Sequence, residues 1–206
     1  MMDRRRSADE AQSVPAPDPP RLARPLVLVG LMGAGKTSVG KRLAGLLQVP
    51  FVDSDSEIET AAGMSIPEIF ARLGEPAFRD GERRVIARLL AEAPRVVATG
   101  GGAFIQPETR AVIAAGGTSV WLRAGLDVLW ERVRDRPGRP LLATADPRAT
   151  LAALHASRGP VYALADVTVD SHRGASHEAT ARRILAALRA YDLARPDHPP
   201  VLEAPA

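Results

Sequence analysis

The chain has 206 residues, of which 46% are hydrophobic and 25% charged, and its formal net charge is +3. Length and composition predict one globular domain, and the absence of cysteine excludes disulfides, thiolate metal sites and cysteine nucleophiles. Aromatic residues make up only 4% of the chain and no apolar run reaches the length of a membrane span. We therefore expect neither a nucleic acid nor a membrane as a partner.

Proline-rich segments stand at both ends of the chain. Residues 1–24 are basic and rich in proline, and residues 193–206 are also rich in proline. Because neither segment has the apolar periodicity of a helix or strand, we expect a disordered N-terminal tail and a flexible C-terminal tail. The folded domain is then residues 25–192. No apolar stretch of the kind found in secretory signals follows the first basic residues, so we expect a cytoplasmic protein, and we expect it to be a monomer.

Between the tails, short strand patterns alternate with longer helical patterns. Strands are predicted at residues 26–29, 51–52, 95–98, 118–122 and 167–169. Helices are predicted at residues 36–47, 55–62, 66–73, 76–92, 126–134, 147–163 and 177–191, and a loop rich in proline, glycine and arginine at 135–146. This alternation predicts an α/β fold, a three-layer α/β/α sandwich around a central five-stranded parallel sheet. Ligands of such a sheet gather at the C-terminal ends of its strands.

A phosphate-binding motif lies between the first strand and the first helix. Residues 30–37 read Gly-Leu-Met-Gly-Ala-Gly-Lys-Thr and match the pattern G-x-x-x-x-G-K-[ST]. The glycines let backbone amides face phosphate oxygens, and the helix N-terminus adds its positive dipole end. Lys36 is expected to reach the β- and γ-phosphates and Thr37 to bind Mg²⁺. Only two of the 27 basic residues are lysines, so lysine at the position that needs a compact charge supports the function.

Three further patterns concern the acceptor of the phosphoryl group. Asp53 and Asp55 lie on either side of Ser54, just after the second strand. One carboxylate could hold the hydration shell of Mg²⁺ and the other could bind a substrate hydroxyl. The alternative role for these residues is helix capping. Arg79 and Glu82 lie three residues apart on a predicted helix. They could form a surface ion pair, or Arg79 could bind a substrate carboxylate. Gly100–Gly102 follow a strand end, where bare backbone allows close approach of a ligand.

Together these motifs resemble the shikimate kinase family over about residues 25–190. The resemblance rests on the phosphate loop, Asp53-x-Asp55, Phe78-Arg79-x-x-Glu82, Gly100–Gly102, Arg139-Pro140-Leu141-Leu142, and Arg158 followed by Tyr162. It implies a P-loop kinase with a mobile lid. It also implies transfer of the γ-phosphoryl group of ATP to the 3-hydroxyl of shikimate, which gives shikimate 3-phosphate and ADP in the biosynthesis of chorismate and the aromatic amino acids.

The resemblance implies a role for each motif residue. Lys36, Asp55 and Arg139 would be catalytic, with Asp55 orienting or deprotonating the acceptor hydroxyl and Arg139 moving over the phosphates on the lid at about residues 135–146. Thr37 would bind Mg²⁺ and Asp53 would hold it through water. The ATP contacts would come from Gly33, Ala34, Gly35, Lys36, Thr37, Ser38, Arg132 and Arg139. The shikimate contacts would come from Asp55, Arg79, Gly100, Gly101, Gly102 and Arg158, with the two arginines holding the carboxylate.

Two matters stay open from the sequence. Arg132 would stack on adenine, but Arg134 is close enough to take that place, and residues 171–176 lack the proline that the family often packs on the other face of the base. A kinase of gluconate or of a nucleotide would share the phosphate loop, although a nucleotide kinase would need arginines for a second phosphate group. A non-catalytic ATP- or shikimate-sensing module would be expected to have lost Lys36, Asp55 or Arg139.

Overall fold

The computed structural model describes residues 20–136 and 140–203. Its strands are β1 (Leu26–Val29), β2 (Phe51–Asp53), β3 (Val96–Ala98), β4 (Thr118–Arg123) and β5 (Val167–Asp170). They form one parallel sheet in the order β2-β3-β1-β4-β5, and Leu26 of β1 pairs with Val96 on one side and Thr118 on the other. The predicted five-stranded parallel sheet is therefore confirmed.

Helices flank this sheet. They are α1 (Lys36–Leu47), α2 (Ser54–Ala62), α3 (Ile66–Ala91), α4 (Pro107–Gly116), α5 (Leu126–Val133), α6 (Pro147–Tyr162) and α7 (His177–Leu193), with short 3₁₀ turns at Ala103–Ile105 and Pro140–Leu142. None of the described helices is long and apolar enough to cross a membrane. The sequence patterns predicted these α-helices except α4, although Pro107 at its first position is a common start of a helix.

The core lies on both sides of β1. All four residues of β1 are buried, as expected for a central strand covered by helices on both faces. On one side α1 and α7 pack together, and α4 packs against α3 and β4. Because the strands are parallel, their C-terminal ends meet at one edge, which is where residues 30–37, Asp53 and Gly100–Gly102 all lie.

Helix α3 is interrupted near its middle. Gly74 has φ 80° and ψ 172°, which is not a helical conformation, and Pro76 follows two residues later. A residue with a β-carbon rarely adopts such a positive φ. The break separates residues 66–73 from residues 76–91, as the sequence pattern predicted, and it allows the second part to carry Arg79 towards the sheet edge.

The C-terminal segment departs from its prediction. Leu202 forms an antiparallel bridge with Leu22, and both side chains are buried. The Asp192 carboxylate accepts hydrogen bonds from the backbone amides of Val201 (2.9 Å) and Leu202 (3.0 Å). The two predicted tails are therefore wrong for residues 21–23 and for residues 201–203, because these two segments pair with each other and bury their apolar side chains on the domain. Residues 1–19 and 204–206 of the two predicted tails lie outside the described residues.

Candidate active site

The phosphate loop joins β1 to α1 through backbone conformations that favour glycine. Gly33 and Gly35 have φ 81° and 99°. A β-carbon on Gly33 would lie 2.7 Å from the Val133 side chain and 3.1 Å from the Leu129 carbonyl oxygen, so α5 leaves no room for a larger residue there. Gly35 holds the N-cap position of α1 and has no side chain with which to cap the helix amides. These amides are therefore available to an anion.

Lys36 is the first residue of α1, and its side chain folds back along the loop. Its Nζ donates to the carbonyl oxygens of Gly30 (2.7 Å) and Leu31 (3.2 Å). The ammonium therefore lies at the concave side of the loop, where it is close to any phosphate held by the loop amides.

Thr37 and Asp53 bring two oxygen atoms together beside the loop. The Thr37 hydroxyl donates to Asp53 Oδ2 at 3.0 Å, while Asp53 Oδ1 accepts from the backbone amide of Asp55 at 3.1 Å. The helix-capping role considered from the sequence is thus real for Asp53, but it uses only one carboxylate oxygen. Hydroxyl and carboxylate oxygens are the ligands that Mg²⁺ prefers, so this pair fits such an ion.

Each of the three consecutive glycines lies against one residue that the sequence analysis predicted to bind the phosphoryl acceptor. A β-carbon on Gly100 would lie 2.6 Å from Asp55 Oδ1, and one on Gly102 would lie 2.8 Å from an Arg79 guanidinium nitrogen. Between them, the Gly101 carbonyl oxygen accepts a hydrogen bond from Arg158 at 3.2 Å. The structure thus brings a carboxylate and two guanidinium groups, from α2, α3 and α6, around one short segment of bare backbone.

Arg79 is held by two carboxylates on its own helix. Its guanidinium contacts Glu82 Oε2 at 2.8 Å and Glu75 Oε1 at 3.1 Å. The Glu82 side chain is only 1% exposed, so this is not the surface ion pair considered from the sequence. Burial raises the pKa of the Glu82 carboxyl, and the Arg79 guanidinium partly offsets that rise. Glu82 therefore fixes the guanidinium from behind, within the protein.

Asp55 has an unusual environment for a carboxylate. Its Oδ1 is buried and has no hydrogen-bond partner among the described residues. Burial, and next the negative charge of Asp53, raise the pKa of the Asp55 carboxyl, while Lys36 and Arg79 lower it. A carboxylate that is partly desolvated, unpaired and basic can accept a hydrogen bond or a proton from a bound hydroxyl group.

Arg132 lies against the phosphate loop, and Arg134 does not. Arg132 donates to the carbonyl oxygens of Gly33 (3.2 Å) and Ala34 (3.3 Å), to Ser171 Oγ (2.9 Å) and to the carbonyl oxygen of His172 (3.1 Å). Arg134 forms an exposed ion pair with Asp135. Of the two arginines left open by the sequence, the structure thus brings Arg132 to the phosphate loop. Arg139 lies outside the described residues, and its role stays a prediction.

Sequence reasoning assigned no site role to three residues that the structure places at the site. Glu82 belongs to a motif quoted above, but only its burial distinguishes it from a surface partner of Arg79. Tyr162 follows Arg158 by four residues on α6, a spacing that puts both side chains on one face of the helix. Ser171, which holds Arg132, has no pattern in the sequence that could have revealed it.

Known proteins resemble this chain in sequence and in fold. A family model described as shikimate kinase matches residues 32–189. A shikimate kinase of Ruegeria pomeroyi is 59% identical over 167 residues, which cover 81% of this chain and 86% of that relative. A shikimate kinase of Bradyrhizobium diazoefficiens is 56% identical over 169 residues, which cover 82% of this chain and 81% of that relative. The structure of an Acinetobacter baumannii shikimate kinase in complex with shikimate has a TM-score of 0.77 and 38% identity, covering 82% of this chain and 95% of the other. Since the family match spans more than half of the sequence, the chain belongs to the shikimate kinase family.

Proposed function

We propose that this chain transfers the γ-phosphoryl group of ATP to the 3-hydroxyl of shikimate, giving shikimate 3-phosphate and ADP. The observation that carries the proposal is the arrangement of Asp55, Arg158 and Arg79 along Gly100–Gly102 at the edge of the sheet that bears the phosphate loop. Shikimate has a carboxylate at one end of its ring and hydroxyls at the other. An acceptor site with two guanidinium groups and one basic carboxylate matches that chemistry.

Arg79 and Arg158 bind the substrate carboxylate in this proposal. Two guanidinium groups that converge on one carboxylate give charge-assisted hydrogen bonds, which are stronger than neutral ones. The buried Glu82 behind Arg79 keeps its guanidinium in place before the substrate arrives. The amides of Gly100–Gly102 line the same pocket, where the missing side chains leave room for Asp55 and Arg79 to lie close to the backbone.

Asp55 acts on the acceptor hydroxyl. Its carboxylate accepts the hydrogen bond of the hydroxyl and orients the hydroxyl oxygen for in-line attack on the γ-phosphorus. The raised pKa makes the carboxylate a better proton acceptor than an exposed aspartate. As the bond from the 3-oxygen to the γ-phosphorus forms, the bond from the γ-phosphorus to the β,γ-bridging oxygen breaks and ADP leaves, while the hydroxyl proton passes to Asp55.

The nucleotide is held by residues 33–38, with further contacts from Arg132 and Arg139. The loop amides and Lys36 contact the phosphates, and Arg132 stacks on the adenine. When bound, Mg²⁺ neutralises charge on the phosphate oxygens; Thr37 would hold it directly and Asp53 through water. Arg139 lies on the predicted lid, so we propose that closure of the lid brings its charge to the transferred group and excludes water.

A direct assay tests the proposed activity. ADP production is measured with shikimate as the only added acceptor, and separately with gluconate and with nucleoside monophosphates, each with and without Mg²⁺. We expect turnover with shikimate and Mg²⁺, and ³¹P NMR of the product should place the phosphate on the 3-oxygen. Faster turnover with gluconate or a nucleotide would contradict the proposal, and ADP without any acceptor would mean that water reaches the γ-phosphate.

We also propose a cytoplasmic location, which rests on the sequence pattern at the N-terminus, and a monomeric state, which no sequence pattern addresses. Light scattering of the purified chain across a tenfold range of concentration measures the oligomeric state. We expect a constant mass equal to the 21.9 kDa of one chain. A mass near twice this value would contradict the monomer.

A further inference from the structure

Tyr162 is buried beside the acceptor site but has no part in the proposed reaction. It is the last residue of α6, it is 2% exposed, and its ring stacks on Trp121 with 6.0 Å between ring centroids. Its hydroxyl donates a hydrogen bond to the carbonyl oxygen of Gly101. A buried hydroxyl usually has a partner, but this partner is the middle residue of the glycine segment that lines the proposed shikimate pocket.

Two donors from one helix face meet on that carbonyl oxygen. Arg158 lies one helical turn before Tyr162 and donates to the same oxygen at 3.2 Å. A carbonyl oxygen has two lone pairs, so both are used by these donors. The direction of the Gly101 carbonyl is therefore set by α6 from two positions.

Fixing this carbonyl also fixes the next amide. The Gly101 carbonyl and the Gly102 amide belong to one planar trans peptide group, so they turn together. A β-carbon on Gly102 would meet the Arg79 guanidinium, and one on Gly101 would lie 3.7 Å from the backbone nitrogen of Met32 in the phosphate loop. This one peptide group lies where both arginines and the phosphate loop come together.

We propose that Tyr162 is a positioning residue, which holds the Gly101–Gly102 peptide group so that Arg79, Arg158 and the glycine amides meet the acceptor carboxylate in one fixed arrangement. The inference rests on the proposed function of this site. When Arg158 turns its donors to a carboxylate, its hydrogen bond to Gly101 weakens and the Tyr162 hydroxyl remains. Neither Gly101 nor Gly102 has a side chain with which to restrain the peptide group between them, so a donor from α6 supplies that restraint.

The state of the hydroxyl agrees with this role. Burial raises the pKa of the Tyr162 phenol, and the positive charge of Arg158 only partly offsets the rise. The phenol therefore stays protonated at neutral and mildly alkaline pH, where it can donate its hydrogen bond.

The variant Tyr162→Phe removes the hydroxyl and keeps the ring on Trp121. We expect the KM for shikimate to rise about three- to tenfold, as for loss of one hydrogen bond, while the KM for ATP stays within about twofold. The matched control is Tyr191→Phe, because the chain has only these two tyrosines. The Tyr191 hydroxyl donates to Asp166, which precedes the N-terminal end of β5, whereas the site lies at the C-terminal ends of the strands. Neither the KM for shikimate nor the KM for ATP should therefore change in this control.

A second measurement does not depend on shikimate. Amide hydrogen exchange of residues 100–105 should be faster in Tyr162→Phe than in the unmodified chain and should be unchanged in Tyr191→Phe. Lack of turnover with shikimate in the unmodified chain overturns the proposed function, and the exchange rates still test the restraint on the peptide. Unchanged exchange, an unchanged KM for shikimate in an active Tyr162→Phe, or an equal rise in both KM values overturns this inference.

Discussion

The two halves of the site are built in different ways. The phosphate half, residues 30–37, is one continuous segment, which in the proposed function binds phosphate through backbone amides and one ammonium group. The acceptor half consists of Asp55, Arg79, Gly100–Gly102 and Arg158, whose side chains come from three different helices. The phosphate half is thus contained in local sequence, whereas the acceptor half exists only once the chain has folded.

The halves also differ in how they carry charge. In the acceptor half, Asp55 is partly desolvated and Arg79 is paired with the buried Glu82. Buried charges cost folding free energy unless they are paired, so substitutions there should change stability together with activity. Arg132, which is predicted to bind ATP, is only partly buried and has no carboxylate partner as buried as Glu82, so its loss should change activity with little change in stability. The following experiments test this difference.

Asp55→Asn should have the largest effect. Loss of the proton acceptor is expected to lower kcat by about 10²- to 10⁴-fold. The pKa of Asp55 is raised in the folded chain, so its stabilising contribution is full below the unfolded pKa and is lost as pH rises through the folded pKa. Asp55→Asn should therefore be more stable than the unmodified chain at pH 7, and this gain should vanish near the pKa of an exposed aspartate.

Urea unfolding at pH 7 and near pH 4 measures this pH dependence. Asp127→Asn is the control, because the Asp127 side chain is 70% exposed and pairs with Arg148 at the surface. A stability difference of equal size at both pH values would contradict the desolvation of Asp55.

Arg139→Ala should have the second largest effect, and it should lower activity without changing the stability of the fold. Loss of a positive charge at the transferred phosphate is expected to lower kcat by about 100-fold or more. The KM for shikimate and the unfolding midpoint should stay nearly constant, which steady-state kinetics and thermal unfolding measure. Arg136→Ala is the control on the same loop. A kcat within about threefold of the unmodified chain would mean that Arg139 is not the lid residue that meets the phosphates.

Arg79→Ala should combine two smaller effects. Loss of a charge-assisted contact is expected to weaken shikimate binding by about 10- to 100-fold while ATP binding is retained. The change also leaves the buried Glu82 without its cation, which should cost about 3 kcal/mol of folding free energy. Calorimetric titration and urea unfolding measure the two effects.

The double variant Arg79→Ala, Glu82→Gln separates these two effects. It should recover much of the lost stability, since no buried charge remains unpaired, but none of the lost shikimate binding. Normal shikimate binding in Arg79→Ala would exclude this arginine from the site.

The sequence predicted the phosphate half more completely than the acceptor half, because only the phosphate half is continuous in sequence. Residues 30–37 are contiguous and the strands have clear apolar patterns, so local rules suffice. The packing of Val201 and Leu202 could not be predicted, because two apolar residues show no periodicity. The partners of Arg79 and Gly101 depend on which helices pack together. The sequence shows that Arg158 and Tyr162 lie four residues apart on one helix, but it does not show that both donate to the Gly101 carbonyl oxygen.

Arg132→Ala, compared with Arg134→Ala, should have the smallest effect and tests the place where the sequence left two choices. Loss of a stacked guanidinium is expected to raise the KM for ATP by about three- to tenfold in the first variant and to leave it unchanged in the second. Arg132 also bonds to the Gly33 and Ala34 carbonyls, so it could act by supporting the phosphate loop. Inhibition by inorganic triphosphate, which has no base, separates these roles. If Arg132 stacks on adenine, only ATP binding weakens; if it supports the loop, both ligands weaken equally, and the phosphate half then depends on a side chain from α5.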